Sequence, residues 1–291
     1  WTIGYDILLT NANVNATRRA LQALDLIIIQ DLFLTETAKA FGSVFLPACS
    51  PFEKDGTFMN AERRIQRVRA VLPPAGDSRP DWQIVAGVAQ AMHVQGFDFN
   101  EPSEIWDEVR RVSLGARGMS YARLDTSGLQ WPCPALDHPG TSILHVDGFP
   151  GGRRTALRCI ECAAPSDASS SDFPFVLITG RSLYQFNAGT MTGRTPNVGL
   201  RPSDLLEIAP MDAQALDLHN DDAVMVVSRY GTTTLPARIT TAVSPGKLFA
   251  TFQTPATWLN LVTSPYRDAR TGTPEYKVTA VRIERARAAS P

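Results

Sequence analysis

The chain is poor in the residues that build protein metal centres and disulfide scaffolds. It has four cysteines and four histidines in 291 residues. Cys49, Cys133, Cys159 and Cys162 are too few and too scattered for a disulfide framework, which points to a reducing compartment. Cys159 and Cys162 form a lone CxxC. A zinc or redox reading of it needs a second ligand pair or a thioredoxin-like context, and neither is visible. His93, His138, His145 and His219 are widely spaced, so no protein-built metal site is expected. No apolar run approaches the ~18 residues of a membrane span. No signal-peptide pattern and no internal repeat stands out. Lys+Arg total 28 against Asp+Glu 29, which excludes a strong global attraction to nucleic acid or anionic membrane. Trp1 stands where an initiator Met would, so a fragment or processed product is expected.

What is present reads as two textures. The 44% hydrophobic content suffices for a large core, and the length allows one to three domains. Residues 16–24 (ATRRALQAL) have helical apolar spacing, and 25–31 (DLIIIQD) is a continuous apolar run suited to a strand covered on both faces. Residues 35–41 read as a second helix with Thr35 as N-cap, and 43–48 as the next strand. This alternation predicts a parallel α/β region, and Asp31 and Thr35 sit at a strand-to-helix junction, where such sheets place ligands. Asp55-Gly56 signals a turn. Residues 62–69 (ERRIQRVR) carry four Arg, which fits either a solvated basic face or a bidentate phosphate contact. Amphipathic helices are predicted over 81–92, with Asp81 as N-cap, and over 102–112. Prolines 132, 134 and 139 make 129–145 extended and irregular, and the Ser-rich 164–174 reads as a linker at a domain boundary.

After that linker the chain turns to short strands: FVLITG, LLEIAP, AVMVVSRYG, TTLPARIT, KLFATF and VTAVRIE, with turns at Tyr230-Gly231 and Pro245-Gly246 and a short helix over 210–218. Such texture predicts a small antiparallel or barrel-like β domain. The stretch after its first strand, GRSLYQFNAGTMTGR (180–194), is dense in neutral donors and contains two Arg and no acid.

Several stretches together resemble one family: LDLIIIQDLFLTETA, VFLPACSPFEKDGTFMNAERRIQRV, RPDWQI, LQWPCP, TGR…GTMTGR and GTPEYKVTAVRIE. In order and spacing they resemble the C-terminal half of molybdopterin-dependent formate dehydrogenase alpha subunits, most of all the cytosolic, NAD-linked ones. The wider superfamily includes nitrate reductases. The resemblance implies a partial Rossmann-like parallel α/β region followed by a C-terminal double-psi β-barrel domain. The expected division is 1–75 α/β, 76–167 mixed helical and irregular, and 168–291 barrel. The implied cofactor is a bis-molybdopterin guanine dinucleotide carrying molybdenum or tungsten.

By the same resemblance, Asp31 and Thr35 match positions that hold a guanine dinucleotide. An aspartate can accept two hydrogen bonds from a guanine edge, although Asp31 could equally cap the following helix. Gly56 matches a ligand-lining position where a missing side chain permits close backbone approach. Asp107 is a weaker match on an amphipathic helix. Arg181, Ser182, Leu183, Gln185 and Asn187 fall on pterin and phosphate contacts, with Met191 and Thr192 in the same loop. Asn260, Tyr276 and Lys277 match further cofactor contacts. Tyr5 departs from the family, which usually has an acid there.

The family's metal-ligating cysteine or selenocysteine, its neighbouring His and Arg and its iron–sulfur cysteines match nothing in this chain, so no catalytic and no metal residue is assigned. The parent protein is expected to oxidise formate to carbon dioxide, or the reverse, passing electrons through iron–sulfur clusters toward NAD. This chain alone is expected to be inactive. It would work with the missing N-terminal half and electron-transfer subunits, in the cytoplasm, without nucleic acid or membrane. A related enzyme acting on nitrate or another oxyanion, and a non-catalytic cofactor-binding module, are the alternatives.

Overall fold

The structure is a computed structural model that describes residues 1–149, 151–152, 154 and 156–286. The chain divides into two compact units. One comprises Trp1–Ile29, Leu34–Phe45 and Glu161–Pro291, the other Gln30–Phe33 and Leu46–Ile160.

The N-terminal segment opens with β1 (Thr2–Ile3), then α1 (Ile7–Thr10) and α2 (Val14–Gln22). Asn13 caps α2 by accepting from Ala16 N at 2.8 Å. The helix buries Val14, Thr17 and Leu21, one face at helical spacing. β2 (Ile28–Asp31), α3 (Glu36–Phe41) and β3 (Val44–Pro47) follow, and the sheet order is β1-β2-β3. Thr35 caps α3 through its hydroxyl, which accepts from Ala38 N at 3.2 Å. Leu8, Val14, Leu21, Ile27, Ile29 and Ala38 form one core, joined by Trp258 and Leu261 from much later in the sequence.

The second unit holds β4 (Gly56–Met59) and β5 (Arg64–Val68), helices α4 (Asp81–Ala91), α5 (Pro102–Val112) and α6 (Tyr121–Leu124), and β6 (Leu129–Gln130). The sheet is antiparallel in the order β4-β5-β6, with Gly56 opposite Val68 and Ile65 opposite Leu129. Ile65, Met119, Leu124, Leu129 and Cys133 pack with Trp106 beneath it.

Two local expectations change here. Asp81 is the first residue of α4 rather than its cap. Its carboxylate is held instead by Gln30 Nε2 at 2.8 Å and by Lys54. The four Arg of 62–69 serve the fold. Arg63 donates to the carbonyls of Trp131, Thr141 and Ser142, and Arg64 to Gly128 O. Arg67 and Arg69 share Asp125, at 2.9 and 2.6 Å. Arg67 also lies over the Tyr121 ring at 3.7 Å.

Back in the first unit, the segment read as a linker is pinned. Asp167 is buried, accepting from Ala280 N at 3.0 Å and from Arg229 at 2.5 Å. Then come β7 (Phe175–Gly180), β8 (Leu206–Ile208), α7 (Pro210–Ala215), β9 (Ala223–Ser228), β10 (Thr232–Ile239), β11 (Lys247–Thr251) and β12 (Thr279–Arg285). The six strands close into a barrel in the order β10-β8-β11-β7-β12-β9. β8 with β10 and β7 with β11 are parallel, and the other four pairings are antiparallel. Alternating side chains fill the interior: Leu177, Leu206, Ile208, Val224, Val226, Leu235, Leu248, Val281 and Ile283. Each fully buried Leu or Ile here contributes roughly 2 kcal/mol. Gly246, at φ +77, supplies the left-handed residue of the predicted Pro245-Gly246 turn.

Candidate functional site

The parallel pairing of β7 with β11 sets Thr251 beside Gly180, so both strands end at the same rim of the barrel. The loop after β7 and the segment after β11 therefore leave the barrel side by side. The loop folds tightly on itself. Thr192 Oγ1 accepts from Phe186 N at 3.0 Å, and Gly193 N donates to Gly189 O at 2.8 Å. Asn187 takes a left-handed φ of +50 and Gly189 one of +72. A Cβ on Gly189 would lie 2.3 Å from Gln253 O, so glycine is what lets the two backbones touch.

Gln253 joins three segments. Its Oε1 accepts from Ser182 Oγ at 2.8 Å, and its Nε2 donates to Arg201 O at 2.9 Å. The backbone around it is held by buried Asp204, which accepts from Thr251 Oγ1 (2.5 Å), Gln253 N (3.0 Å), Thr254 N (3.2 Å) and Thr257 Oγ1 (2.7 Å). Burial pushes the Asp204 carboxyl above the usual aspartate range, against the four donors that pull it down.

These segments wall a cleft of about 330 Å³ lined by Gln185, Gly189, Thr190, Arg194, Arg201, Gln253 and Thr254, with Asp6 and Glu36 also on its lining. The acids are engaged within the protein. Asp6 accepts from Leu9 N, Glu36 N, Thr37 N and Thr37 Oγ1, and Glu36 pairs with Lys39 at 2.7 Å. Arg201 lies a loose 3.8 Å from Glu207. Two buried polar atoms on this cleft have no hydrogen-bond partner among the described residues: Gln185 Oε1 and Arg201 Nε. Gln185 is 7% exposed. One orphan needs a donor and the other an acceptor, and buried polar atoms are seldom left so.

A narrower hollow of about 50 Å³ gathers Arg181, Asn187, Asn260 and Tyr276, with Leu9 lining both spaces. Asn260 Nδ2 donates to the carbonyls of Leu8 and Asn11, at 2.6 and 2.9 Å. Tyr276 packs edge-on against Phe252, and its carbonyl accepts from Thr179 Oγ1 at 3.1 Å. Arg181 lies over Phe186 at 5.7 Å. Burial raises the Tyr5 hydroxyl, Tyr276 adds to the rise, and Arg267 opposes it.

Of the residues expected from sequence, Gln185 is on the cleft, Arg181, Asn187, Asn260 and Tyr276 are on the hollow, and Ser182 braces Gln253. Thr192 spends its hydroxyl within the loop. Leu183, Met191 and Lys277 are exposed and line neither space. Thr35 acts as a helix cap. In the second unit Asp31 is buried, with Oδ1 accepting from Leu32 N at 2.7 Å. Gly56 lines a largely apolar groove with Lys54, Trp82, Trp106 and Tyr121, and a Cβ there would meet nothing within 4 Å. Asp107 pairs with Arg110 at 2.6 Å on the exposed side of α5. Sequence reading passed over Gln253, Arg201 and Asp204, and counted Arg194 only as one of the two arginines of the 180–194 stretch. The first three come to the site only through the strand ends of β7 and β11, the start of the antiparallel β8 beside them, and the Asp204 bonds, for which no local pattern exists. Among the described residues no His, Cys, Asp and Glu cluster could hold a metal ion. No helix among them is long and apolar enough to cross a membrane.

Residues 175–280 match the molydopterin dinucleotide binding domain, and residues 1–91 match the molybdopterin oxidoreductase family. The chain is 38% identical over 288 residues to the F420-dependent formate dehydrogenase subunit alpha of Methanocaldococcus jannaschii, covering 98% of this chain and 43% of that one. It is 36% identical over 290 residues to the F420-dependent formate dehydrogenase 1 subunit alpha of Methanococcus maripaludis, with shares of 98% and 43%. The chain thus spans less than half the length of these relatives. Acetylene hydratase from Pelobacter acetylenicus shares the fold at a TM-score of 0.73 and 16% identity, over 97% of this chain and 43% of that structure. The N-terminal segment and the barrel thus each match a family model of the molybdopterin enzymes.

Proposed function

We propose that this chain is a cofactor-binding part of a formate dehydrogenase alpha subunit, holding a molybdopterin guanine dinucleotide against the barrel rim. The observation that carries the reading is the pair of orphaned atoms, Gln185 Oε1 and Arg201 Nε, on one cleft. A pterin or guanine edge presents N–H donors beside carbonyl and ring-nitrogen acceptors, and a phosphate would suit the arginines. The residues present therefore fit such a group. The match of 175–280 to a dinucleotide binding domain supports the same reading.

In this reading Gln185 accepts from the heterocycle, Arg194 and Arg201 face its anionic arm, and Gly189 and Gly193 let the backbone approach. Arg181, Asn187, Asn260 and Tyr276 shape the neighbouring hollow, with Ser182, Met191 and Thr192 supporting the loop and Leu183 and Lys277 at its exposed margin. Asp31, Thr35, Gly56 and Asp107 belong to the same reading as contacts in the earlier part of the chain. The mixed parallel and antiparallel order of the barrel suits a double-psi topology, and the first β-strands and helices suit half of a Rossmann-like sheet. The division expected from the sequence, 1–75, 76–167 and 168–291, differs from the two compact units, in which residues 46–75 fall with 76–160 and residues 1–29 with the barrel.

When bound, the group supplies metal-centred two-electron chemistry through molybdenum or tungsten, and this chain's residues bind, orient and screen it from water. Formate is favoured over nitrate because the relatives named above are formate dehydrogenases. The remainder of the subunit, with its iron–sulfur clusters, and electron-transfer partners would complete the reaction in the cytoplasm. The isolated chain would not oxidise formate. The test is titration of the 291-residue chain with guanosine diphosphate, with pterin and metal analysis of protein from the native host. Saturable binding that Gln185→Leu weakens, together with stoichiometric pterin, is the expected result. Absence of both overturns the reading.

A further inference from the structure

The wall of the cleft that carries Gln253 and Thr254 is an irregular segment between β11 and Leu259, and irregular segments hold position only when something fixes them. Here one side chain does so. Asp204 is fully buried, and each of its two carboxylate oxygens takes two donors, all four from residues within 251–257. Two of those donors are the backbone N–H groups of Gln253 and Thr254, at the cleft itself. Gln253, so fixed, reaches Ser182 on one side and Arg201 O on the other. Gly189 seats the opposite loop on the Gln253 carbonyl.

We propose that Asp204 is a positioning residue that sets the geometry of the ligand cleft, acting through the 251–257 segment rather than touching the ligand. The proposal rests on the assignment of that cleft to a guanine dinucleotide group. Charge-assisted hydrogen bonds to a carboxylate are stronger than neutral ones, and four from a stretch of seven residues define its path. The segment itself contains Thr, Phe, Gln, Pro and Ala and no ionisable side chain. Asp204 lies just before β8, which carries Glu207, whose partner is Arg201. The Ser182–Gly189 part of the facing loop contains one titratable side chain, Tyr184, and is preceded by Arg181. An amide in place of the carboxylate would set N–H donors against the donors of Thr254 and Thr257.

The test compares the wild-type chain with Asp204→Asn and with the milder Thr257→Val, which deletes one of the four donors. Amide hydrogen exchange over 251–257 is measured beside the barrel strands β9 and β10. Exchange over 251–257 should rise about tenfold in Asp204→Asn, the effect of losing one such bond. It should rise less in Thr257→Val, with β9 and β10 still protected in both. Guanosine diphosphate affinity should fall in the same order. Unchanged exchange over 251–257, equal loosening of the barrel, or undiminished nucleotide affinity in a loosened variant each overturns the proposal. If the segment loosens selectively but the wild-type chain binds no guanosine diphosphate, the positioning role stands and the ligand assignment fails.

Discussion

Ser182 donates to the side-chain carbonyl of Gln253 across 71 residues of sequence, at 2.8 Å. That bond ties the loop after β7 to the segment after β11, and the cleft exists because the two are held together.

Breaking the tie should weaken ligand binding more than folding. Gln253→Ala removes the partners of Ser182 and of Arg201 O together. The expected loss of guanosine diphosphate affinity is about tenfold, with a fall in stability of about 1–2 kcal/mol. Isothermal titration and urea unfolding measure the two. A loss of stability with unchanged affinity would refute the arrangement.

Gln185 should behave oppositely in the two assays. Its side-chain carbonyl is buried without a partner, and such a group costs about 1–3 kcal/mol. Gln185→Leu is therefore expected to leave the ligand-free chain as stable or more stable, by up to about 1 kcal/mol, while nucleotide affinity drops. Thermal melts with and without guanosine diphosphate would separate these effects.

Gly189 should tolerate no side chain. Its φ is +72, and an added methyl would lie 2.3 Å from Gln253 O, so Gly189→Ala must displace one wall of the cleft. A destabilisation of about 1–3 kcal/mol is expected, together with lost nucleotide binding. Gly199→Ala, which would meet no atom within 4 Å and lies outside the cleft lining, is the control and should bind normally.

Asp204 should leave a signature in the pH dependence of stability. Its folded pKa is raised, chiefly by burial. Over the window between the usual aspartate value and the folded one, the native state therefore holds more protons than the unfolded state. Stability is then highest below that window and falls as pH rises through it. Asp204→Asn should flatten this part of the profile. Asp222 has the opposite sign. The His219 backbone N–H lowers it first, with Arg285 adding, so its contribution is present above the usual value and is lost as pH falls through the lowered one.

Arg67 should matter to folding and not to ligand. Its guanidinium is shared between Asp125 and the Tyr121 ring, and its side chain is 12% exposed. Arg67→Ala is expected to cost about 1–2 kcal/mol with nucleotide affinity unchanged. Loss of affinity at wild-type stability would restore the anion-contact reading of the 62–69 stretch.

The amino-acid sequence determined the local elements. Helical spacing in α2, the Thr35 cap of α3, the continuous Ile run of β2 and the strand-and-turn texture after residue 175 are each short-range patterns, and the structure contains each of these elements. The donor-rich loop was also legible, because 180–194 combines amides, hydroxyls and glycines without acids. Only tertiary structure decided what those groups do. Asp81 left its expected capping role because Gln30 and Lys54 reach it from elsewhere in the chain. The arginines of 62–69 turned inward to carbonyls and to Asp125. Gln253 joined the site because the parallel strands β7 and β11 end at a common edge, and Arg201 and Asp204 because β8, antiparallel to β11, begins at that edge, which brings residues far apart in sequence within hydrogen-bonding reach. Periodicity records which face of an element is buried. Which loops then meet at a barrel rim depends on strand order and register, and those are set by long-range packing.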